Sequence, residues 1–135
     1  MGGLARLKLL LDTHIWLWSL QDTNRLGKRV RQELADTVNE RWLSPISTWE
    51  ALTLHFEGRV VLLPNLPVWV ADATRNFREA PLTHQITVVA RELRLPHQDP
   101  ADRLLAATAK VLSLTLVTAD RTLLALSGIS TLANF

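Results

Sequence analysis

The sequence runs Leu-Lys-Leu-Leu-Leu at residues 7–11 straight into Asp12, and Leu-Thr-Leu-Val-Thr at residues 114–118 leads through one alanine into Asp120. Both segments are too short and too apolar for a surface helix, so each predicts a strand that is buried in a parallel sheet. A weaker strand is predicted at residues 42–44, Trp-Leu-Ser, and a proline ends it. The sequence thus predicts buried strands at both ends of the chain, two of which lead into an aspartate.

The segments between these strands show the spacing of apolar residues that is typical of helices. Helices are predicted at about residues 27–39, 47–57, 67–79, 84–94 and 100–112, with a short one at 119–126. Strands that alternate with helices of this length indicate βαβ units and a parallel sheet covered on both faces. The 135 residues fit one hydrophobic core, without an internal repeat or low-complexity linker, so a single domain is expected over residues 1–135.

The composition excludes several kinds of chemistry. The chain has no cysteine, which excludes disulfides, thiolate metal sites and a cysteine nucleophile, and which agrees with a cytoplasmic location. The longest apolar stretch near the N-terminus, residues 9–20, contains Asp12 and is shorter than the roughly 20 apolar residues that span a membrane. It has no small-residue cleavage site, so we predict neither a signal peptide nor a membrane partner.

The charge of the chain favours an acidic partner. There are 15 Lys and Arg against 13 Asp and Glu, and the formal net charge is +2. If several of the acids share one pocket, the remaining surface is more basic than this value and suits a polyanion. The densest basic run contains Arg25, Lys28, Arg29 and Arg31, and it fits either an RNA contact or an ordinary solvated helix face.

Asp12 and Asp120 each follow a predicted strand directly or nearly so. In an open parallel sheet, ligands bind outside the carboxyl ends of the strands, which is where both aspartates would lie. Each aspartate is also a good N-cap for a helix that begins there. Taken singly, the two residues therefore fit a binding role and a capping role equally well.

Glu50 and Asp102 occur where the sequence predicts the first turn of a helix. Ser47-Thr48-Trp49-Glu50 has the spacing of a capping box, and Asp99-Pro100-Ala101-Asp102 places a capping acid before a proline and a second acid after it. The partial positive charge of a helix N-terminus favours the ionised carboxylate that a hard metal ion requires. Either acid could instead serve only to stabilise its own helix.

The combination of acids on separate elements changes the interpretation. A parallel sheet brings strand ends and helix starts to one edge, so a single cavity could receive all four acids: Asp12, Glu50, Asp102 and Asp120. Crowded carboxylates raise one another's pKa, and a divalent cation relieves that repulsion. Oxygen ligands without Cys or an evident His pair favour Mg²⁺ or Mn²⁺ over Zn²⁺.

Three stretches of the sequence carry a family resemblance. They are LLLDTHIWLW at 9–18, LSPISTWEALTLHFEGRV at 43–60 and LPHQDPADRLLAATAKVLSLTLVTAD at 95–120, and a short closing strand near Ile129 follows them. Together they resemble PIN domains and, within them, the VapC-like toxins of bacterial and archaeal type II toxin–antitoxin pairs. The resemblance spans nearly the whole chain and implies a three-layer α/β/α sandwich with a mostly parallel central sheet.

The resemblance also implies an activity and its residues. It implies endonucleolytic hydrolysis of RNA phosphodiester bonds that depends on Mg²⁺ or Mn²⁺. The catalytic and metal-binding acids would be those that match the family pattern: Asp12, Glu50, Asp102 and Asp120. Thr118 matches a position that usually bears a hydroxyl and could orient the site, while Asp99 belongs to a subgroup motif and is assigned first as an N-cap. An inhibitory antitoxin and a homodimer are the implied protein partners.

Three other functions fit parts of the pattern. A phosphoryl-transfer enzyme with an aspartyl intermediate would usually carry a second aspartate after Asp12, and Thr13-His14 supplies none. A phospho-acceptor receiver domain would carry paired acids after its first strand and a lysine after its last, where this chain has Asp120. A non-catalytic PIN-like interaction module would need the acids only as caps, and intact acids at all four positions argue against it.

Large apolar side chains are more numerous than a short two-helix face needs to bury. They are Trp16, Trp18, Trp49, Leu52, Phe56 and Trp69. Core packing is expected for most of them. Some are expected to line a groove that a C-terminal segment of the antitoxin would fill.

Overall fold

The computed structural model describes residues 6–96 and 99–135. At its centre is a five-stranded sheet in which all paired strands are parallel. The strands are β1 (Lys8–Leu11), β2 (Glu40–Leu43), β3 (Arg78–Glu79), β4 (Thr115–Thr118) and β5 (Ser130–Ala133), in the spatial order β3-β2-β1-β4-β5. This confirms the predicted strands at the two ends of the chain, the weaker one before Pro45 and the closing one near Ile129.

Helices cover both faces of the sheet, which confirms the predicted three-layer α/β/α sandwich. They are α1 (Thr13–Gln21), α2 (Lys28–Ala35), α3 (Pro45–Phe56), α4 (Leu66–Thr74), α5 (His84–Glu92), α6 (Pro100–Leu112) and α7 (Arg121–Leu124). Because side chains alternate along a strand, Leu9 and Leu11 pack with α1 to α4, whereas Leu10 packs with α5 to α7. Within the described residues, no helix has the length and apolar character needed to cross a membrane.

The sequence patterns do not predict two of the elements, α1 and β3. The patterns give no helix at residues 13–21, yet α1 occupies them. Trp16 is fully buried and Trp18 is half-buried, so this short helix has apolar residues around much of its circumference and little amphipathic periodicity. The helix predicted at 67–79 ends at Thr74, and Arg78–Glu79 forms β3 because it pairs with the edge of β2. That pairing is a tertiary contact, and no local sequence pattern predicts it.

The last residues of the chain hold the segment that leads into α2. The Asn134 side chain accepts a hydrogen bond from the backbone N–H of Gly27 (2.6 Å) and donates one to the carbonyl oxygen of Arg25 (3.0 Å). A Cβ atom on Gly27 would lie 2.0 Å from the carbonyl oxygen of Phe135. The glycine is therefore required by close backbone packing, and the chain around Arg25 is fixed from the C-terminus.

Candidate active site

Asp12 follows β1 and serves as the N-cap of α1. Its Oδ1 accepts a hydrogen bond from the backbone N–H of His14 (2.9 Å). Its Oδ2 accepts a hydrogen bond from the hydroxyl of Thr118 (2.7 Å), the buried last residue of β4. Both carboxylate oxygens are thus oriented, one by the helix that Asp12 begins and the other by the neighbouring strand.

Asp120 is joined to Asp12 through the same threonine. Its backbone N–H donates to the Thr118 hydroxyl oxygen (3.0 Å), and its Oδ1 accepts from the backbone N–H groups of Thr122 (2.8 Å) and Leu123 (3.2 Å) at the start of α7. Thr118 therefore donates to one acid and accepts from the main chain of another. The prediction that this residue orients the site agrees with these contacts.

Glu50 lies on α3, and its predicted setting was wrong. The helix begins at Pro45 with Ser44 as its N-cap, whose hydroxyl accepts from the backbone N–H of Ile46 (3.1 Å), so Ser47 does not begin a capping box. A proline suits the first helical position and an extended serine suits the cap, so the helix begins at residue 45, two residues earlier than predicted. Glu50 lies beyond the first turn, where its Oε1 accepts a hydrogen bond from the hydroxyl of Thr13.

Asp99 and Asp102 lie at the start of α6 as predicted. Asp99 is the N-cap, and its Oδ1 accepts from the backbone N–H groups of Ala101 (2.9 Å) and Asp102 (3.4 Å). Asp102 is the acid of the first helical turn. The start of α6 is the fourth chain segment, after the ends of β1 and β4 and helix α3, that brings carboxylates to this part of the fold.

One cavity of about 300 Å³ receives all of these acids. It is lined by the four carboxylates that the sequence singled out, by Asp99, and by further residues of α1 and its neighbours: Thr13, His14, Ile15, Trp18, Leu105 and Ala119. Across residues 6–96 and 99–135, no three His, Asp or Glu side chains are already arranged to hold a metal ion. The acids line a common space without forming a finished coordination shell.

The cavity disfavours negative charge on Glu50. Burial raises the pKa of this carboxyl above its ordinary value, and the charges of Asp99 and Asp12 raise it further. The hydrogen bond from Thr13 and the proximity of His14 act in the opposite direction. Burial and the neighbouring carboxylates therefore both disfavour the ionised form of Glu50, and a hard cation in the cavity would favour it.

Two residues that support the elements of the site were not identified from the sequence. Thr13 supports Glu50, and its signal was a hydroxyl directly after a candidate acid. Arg103, next to Asp102, is buried and donates to the carbonyl oxygens of Ala90, Leu93 and Leu95. Its signal in the sequence was an arginine on the apolar face of α6. This side chain joins the start of α6 to the end of α5.

A parallel α/β sandwich with an acid-lined cavity at the carboxyl edge of its sheet describes a class of proteins that includes metal-dependent hydrolases. Comparison with known proteins gives the family. The sequence profile of the PIN domain matches residues 9–128, and the chain belongs to the PIN-domain family. This confirms the resemblance found in the sequence.

The relatives include one curated enzyme and several solved complexes. The chain is 32% identical to Ribonuclease VapC22 of Mycobacterium tuberculosis over an alignment of 117 residues. This alignment covers 85% of the present chain and 88% of the relative. The fold matches VapBC2 from Rickettsia felis bound to a promoter DNA fragment, with a TM-score of 0.71, 16% identity and coverage of 96% and 100% of the two chains. It also matches FitAcB from Neisseria gonorrhoeae, with a TM-score of 0.65, 24% identity and coverage of 91% and 95%.

Proposed function

We propose that this chain is an endoribonuclease that depends on Mg²⁺ or Mn²⁺ and acts as the toxin of a type II toxin–antitoxin pair. The observation that carries the proposal is the single cavity lined by Asp12, Glu50, Asp99, Asp102 and Asp120. The relative named as a ribonuclease supports the activity, because it aligns with most of this chain. Cleavage would take place in the cytoplasm, where RNA is available.

The donor set fits a hard divalent cation. Asp12, Glu50 and Asp102 would hold it, with Asp120 as a further ligand or as a residue that acts through water. A bound cation would supply neutralising charge and a water molecule of lowered pKa for attack on phosphorus. The carboxylates have to turn toward the centre of the cavity, since no three of the described side chains are ready to hold an ion.

The chain's own residues would keep the acids in place during the reaction. The Thr118 hydroxyl holds Oδ2 of Asp12, so the second oxygen of that carboxylate keeps a fixed direction. The Thr13 hydroxyl does the same for Glu50. Asp99 caps α6 and adds negative charge beside Glu50, which strengthens the preference of the site for a cation.

A run of exposed basic residues just before and within α2 suits an RNA backbone. Arg25, Lys28, Arg29 and Arg31 are all exposed, and Arg29 alone of these pairs with an acid in the described residues, Glu33 at 3.6 Å. Such a run neutralises phosphates in a salt-dependent manner. We further expect a homodimer, which would join two such surfaces. Light scattering at micromolar concentration should give about twice 15.2 kDa, and a mass that stays at the monomer value would contradict the dimer.

An antitoxin would have apolar surface available on α3 and α4. Trp49 and Phe56 are 64% and 79% exposed, and Trp49 and Leu52 line a cavity of about 400 Å³ between the two helices. Trp16 is fully buried in the core, so it has no part in such a groove. Several of the structural neighbours are described as complexes of VapB with VapC, which supports a partner of this kind. Co-expression with the product of the neighbouring gene should give a complex that co-purifies.

A cleavage assay with a matched pair of variants tests the proposal. Wild type should cut single-stranded RNA with Mn²⁺ or Mg²⁺ and stop when EDTA is added. Asp102→Asn should lose the activity together with the metal-induced rise in melting temperature. The control is Asp72→Asn, an exposed aspartate of α4 that pairs with Arg75 at 2.5 Å and does not line the acidic cavity; it should behave as wild type.

Each alternative predicts a different result in the same experiments. A non-catalytic PIN-like module would bind its partner without cutting RNA, with or without metal. A phosphoryl-transfer or receiver-type protein would acquire an acid-stable or hydroxylamine-sensitive phosphate label from a phosphate donor. An Asp102→Asn variant that cuts RNA at the wild-type rate would show that the acidic cavity is not the catalytic site.

A further inference from the structure

A tryptophan that lines the acidic cavity, and an arginine that lies over this tryptophan, have no role in holding the carboxylates. Trp18 lines the cavity, and its half-buried indole packs in part against the core cluster of α1 to α4. The guanidinium carbon of Arg25 lies over this indole, 5.1 Å from the ring centroid. The ring of His14 approaches it at 5.9 Å with a tilt of 49°. The wall beside the acids therefore includes an indole with an imidazole at its side and a guanidinium over its ring.

The backbone around this pair is fixed on both sides. The N–H of Asp22 donates to the carbonyl oxygen of Trp18 (2.9 Å), and the N–H of Arg25 donates to the carbonyl oxygen of Asp22 (3.1 Å), which closes a 3₁₀ turn at Thr23–Arg25. The Asn134 amide then holds the carbonyl oxygen of Arg25. A short turn anchored at both ends keeps the base of the Arg25 side chain beside the indole.

The charge of Arg25 is available to a ligand. In the part of the chain that the structure describes, no Asp or Glu forms an ion pair with Arg25, although five carboxylates line the cavity that Trp18 also lines. An exposed cation stacked on an aromatic ring presents a flat, positively charged surface. Unpaired nucleobases stack on aromatic rings and on guanidinium planes, and this mode of binding requires single-stranded nucleic acid.

We propose that Trp18 and Arg25 form a binding subsite for one unpaired nucleotide of the RNA, next to the phosphodiester bond that is cut. The base stacks on the Arg25 guanidinium, which the indole of Trp18 supports, and the phosphates on either side reach the cavity and the basic residues of α2. This inference rests on the proposed function and deepens it, because it assigns the site a preference for unpaired RNA. A contact to phosphate alone would need only the positive charge of Arg25, whereas stacking of a base needs the flat face of its guanidinium group.

The test compares two ligands that differ only in their bases. Fluorescence anisotropy is measured with a short oligoadenylate and with an abasic ribose-phosphate strand of equal length, using the full chain with Asp102→Asn so that neither strand is cut. We expect oligoadenylate to bind about tenfold more tightly than the abasic strand, within the range for one stacked base. Arg25→Lys should reduce this ratio to about twofold and leave the affinity for the abasic strand unchanged, because the charge is kept.

The chain offers a matched control for the loss of a stacked guanidinium. Arg78 lies over the ring of Trp42 at 5.9 Å, and neither residue lines the acidic cavity. Arg78→Lys should therefore keep the wild-type ratio. Trp18→Phe keeps a smaller aromatic support and should give an intermediate ratio, with the melting temperature recorded to show that the variant is folded.

Several results would overturn the subsite. The first is a wild-type protein with equal affinity for oligoadenylate and the abasic strand. The second is an Arg25→Lys variant that loses the same affinity for both strands. The third is an Arg78→Lys variant with the same effect as Arg25→Lys. An equal loss of affinity for both strands would mean that Arg25 contacts phosphate only. The outcome is separate from that of the proposed function, because it is measured without cleavage. If the protein binds the base-bearing strand more tightly but never cuts RNA, the subsite proposal stands and the proposed nuclease function is wrong.

Discussion

Replacement of Arg103 by methionine should lower stability more than any exposed arginine replacement in this chain. Arg103 lies in α6 next to Asp102, and its guanidinium is buried without a carboxylate partner in the described residues. Its Nη1 donates to the carbonyl oxygens of Ala90 (2.9 Å) and Leu93 (3.0 Å), and its Nη2 donates to that of Leu95 (3.3 Å). These carbonyls lie at and just beyond the C-terminus of α5, where partial negative charge favours a cation.

The expected loss can be worked out from these bonds. Hydrogen bonds from a charged donor contribute about 1.5 to 3 kcal/mol each. The third bond is long, and removal of the buried cation recovers part of its desolvation penalty, so we count the two short bonds at the lower end. The loss is then about 3 kcal/mol. For a chain of this size each kcal/mol corresponds to roughly 3 to 5 °C, so the melting temperature should fall by about 10 °C.

Thermal unfolding followed by circular dichroism measures this change in metal-free buffer, and urea unfolding gives the free energy directly. The matched control is Arg94→Met, since Arg94 is exposed and lies in the segment that Arg103 holds. That change should stay within about 0.5 kcal/mol of wild type. If Arg103→Met unfolds within 2 °C of wild type, the buried guanidinium does not fasten α6 to α5, and the reasoning from its hydrogen bonds is wrong.

Three further changes test the packing and electrostatics of the site. Gly27→Ala should destabilise the fold by more than about 1 kcal/mol in urea unfolding, because its Cβ would lie 2.0 Å from the Phe135 carbonyl oxygen. Glu50→Gln should stabilise the metal-free protein at pH 7. The raised pKa of Glu50 means that wild type loses stability as the pH rises above 4.5, so the gain should vanish in melts below that value. Thr118→Val should cost about 1 to 2 kcal/mol and reduce cleavage, because Asp12 loses its buried donor.

Much of the fold could be predicted from the sequence because β1 and β4 are largely buried. Leu9, Leu10 and Leu11 are all inaccessible to solvent, and such a strand gives a short apolar run that no surface helix would tolerate. The predicted helix at 100–112 agrees with α6 at both ends, because Asp99 and Pro100 mark its start and the apolar face of α6 is well defined. Local signals were sufficient where one face of an element was polar or where a cap was unambiguous.

The errors had two causes: a long-range strand pairing in one case and a choice between two nearby serine caps in the other. β3 exists because Arg78 and Glu79 pair with Trp42 and Leu43, far away in the sequence. The start of α3 was placed two residues late because a serine and a glutamate with capping-box spacing lay inside the helix, while the true cap was Ser44, which follows β2. The expectation that Glu50 shares a cavity with the other acids did not depend on this error. Glu50 lines the cavity because of the face of α3 on which it lies, and its distance from the helix start does not decide that.

The acids also show why capping and binding could not be separated in the sequence. Asp12, Asp99 and Asp120 all accept hydrogen bonds from backbone N–H groups as helix caps, and all three line the acidic cavity. The two roles use the same position, since a helix that starts at the carboxyl edge of a parallel sheet points its N-terminus at the place where ligands bind. The N–H groups at the starts of α1 and α6 stabilise negative charge before any cation arrives. Glu50 has no such cap, and its pKa is raised above the ordinary value, first by burial and then by neighbouring carboxylates. A chain that folds with several acids at one edge of its sheet can therefore hold most of them on helix starts, where the helix N-termini offset part of their mutual repulsion.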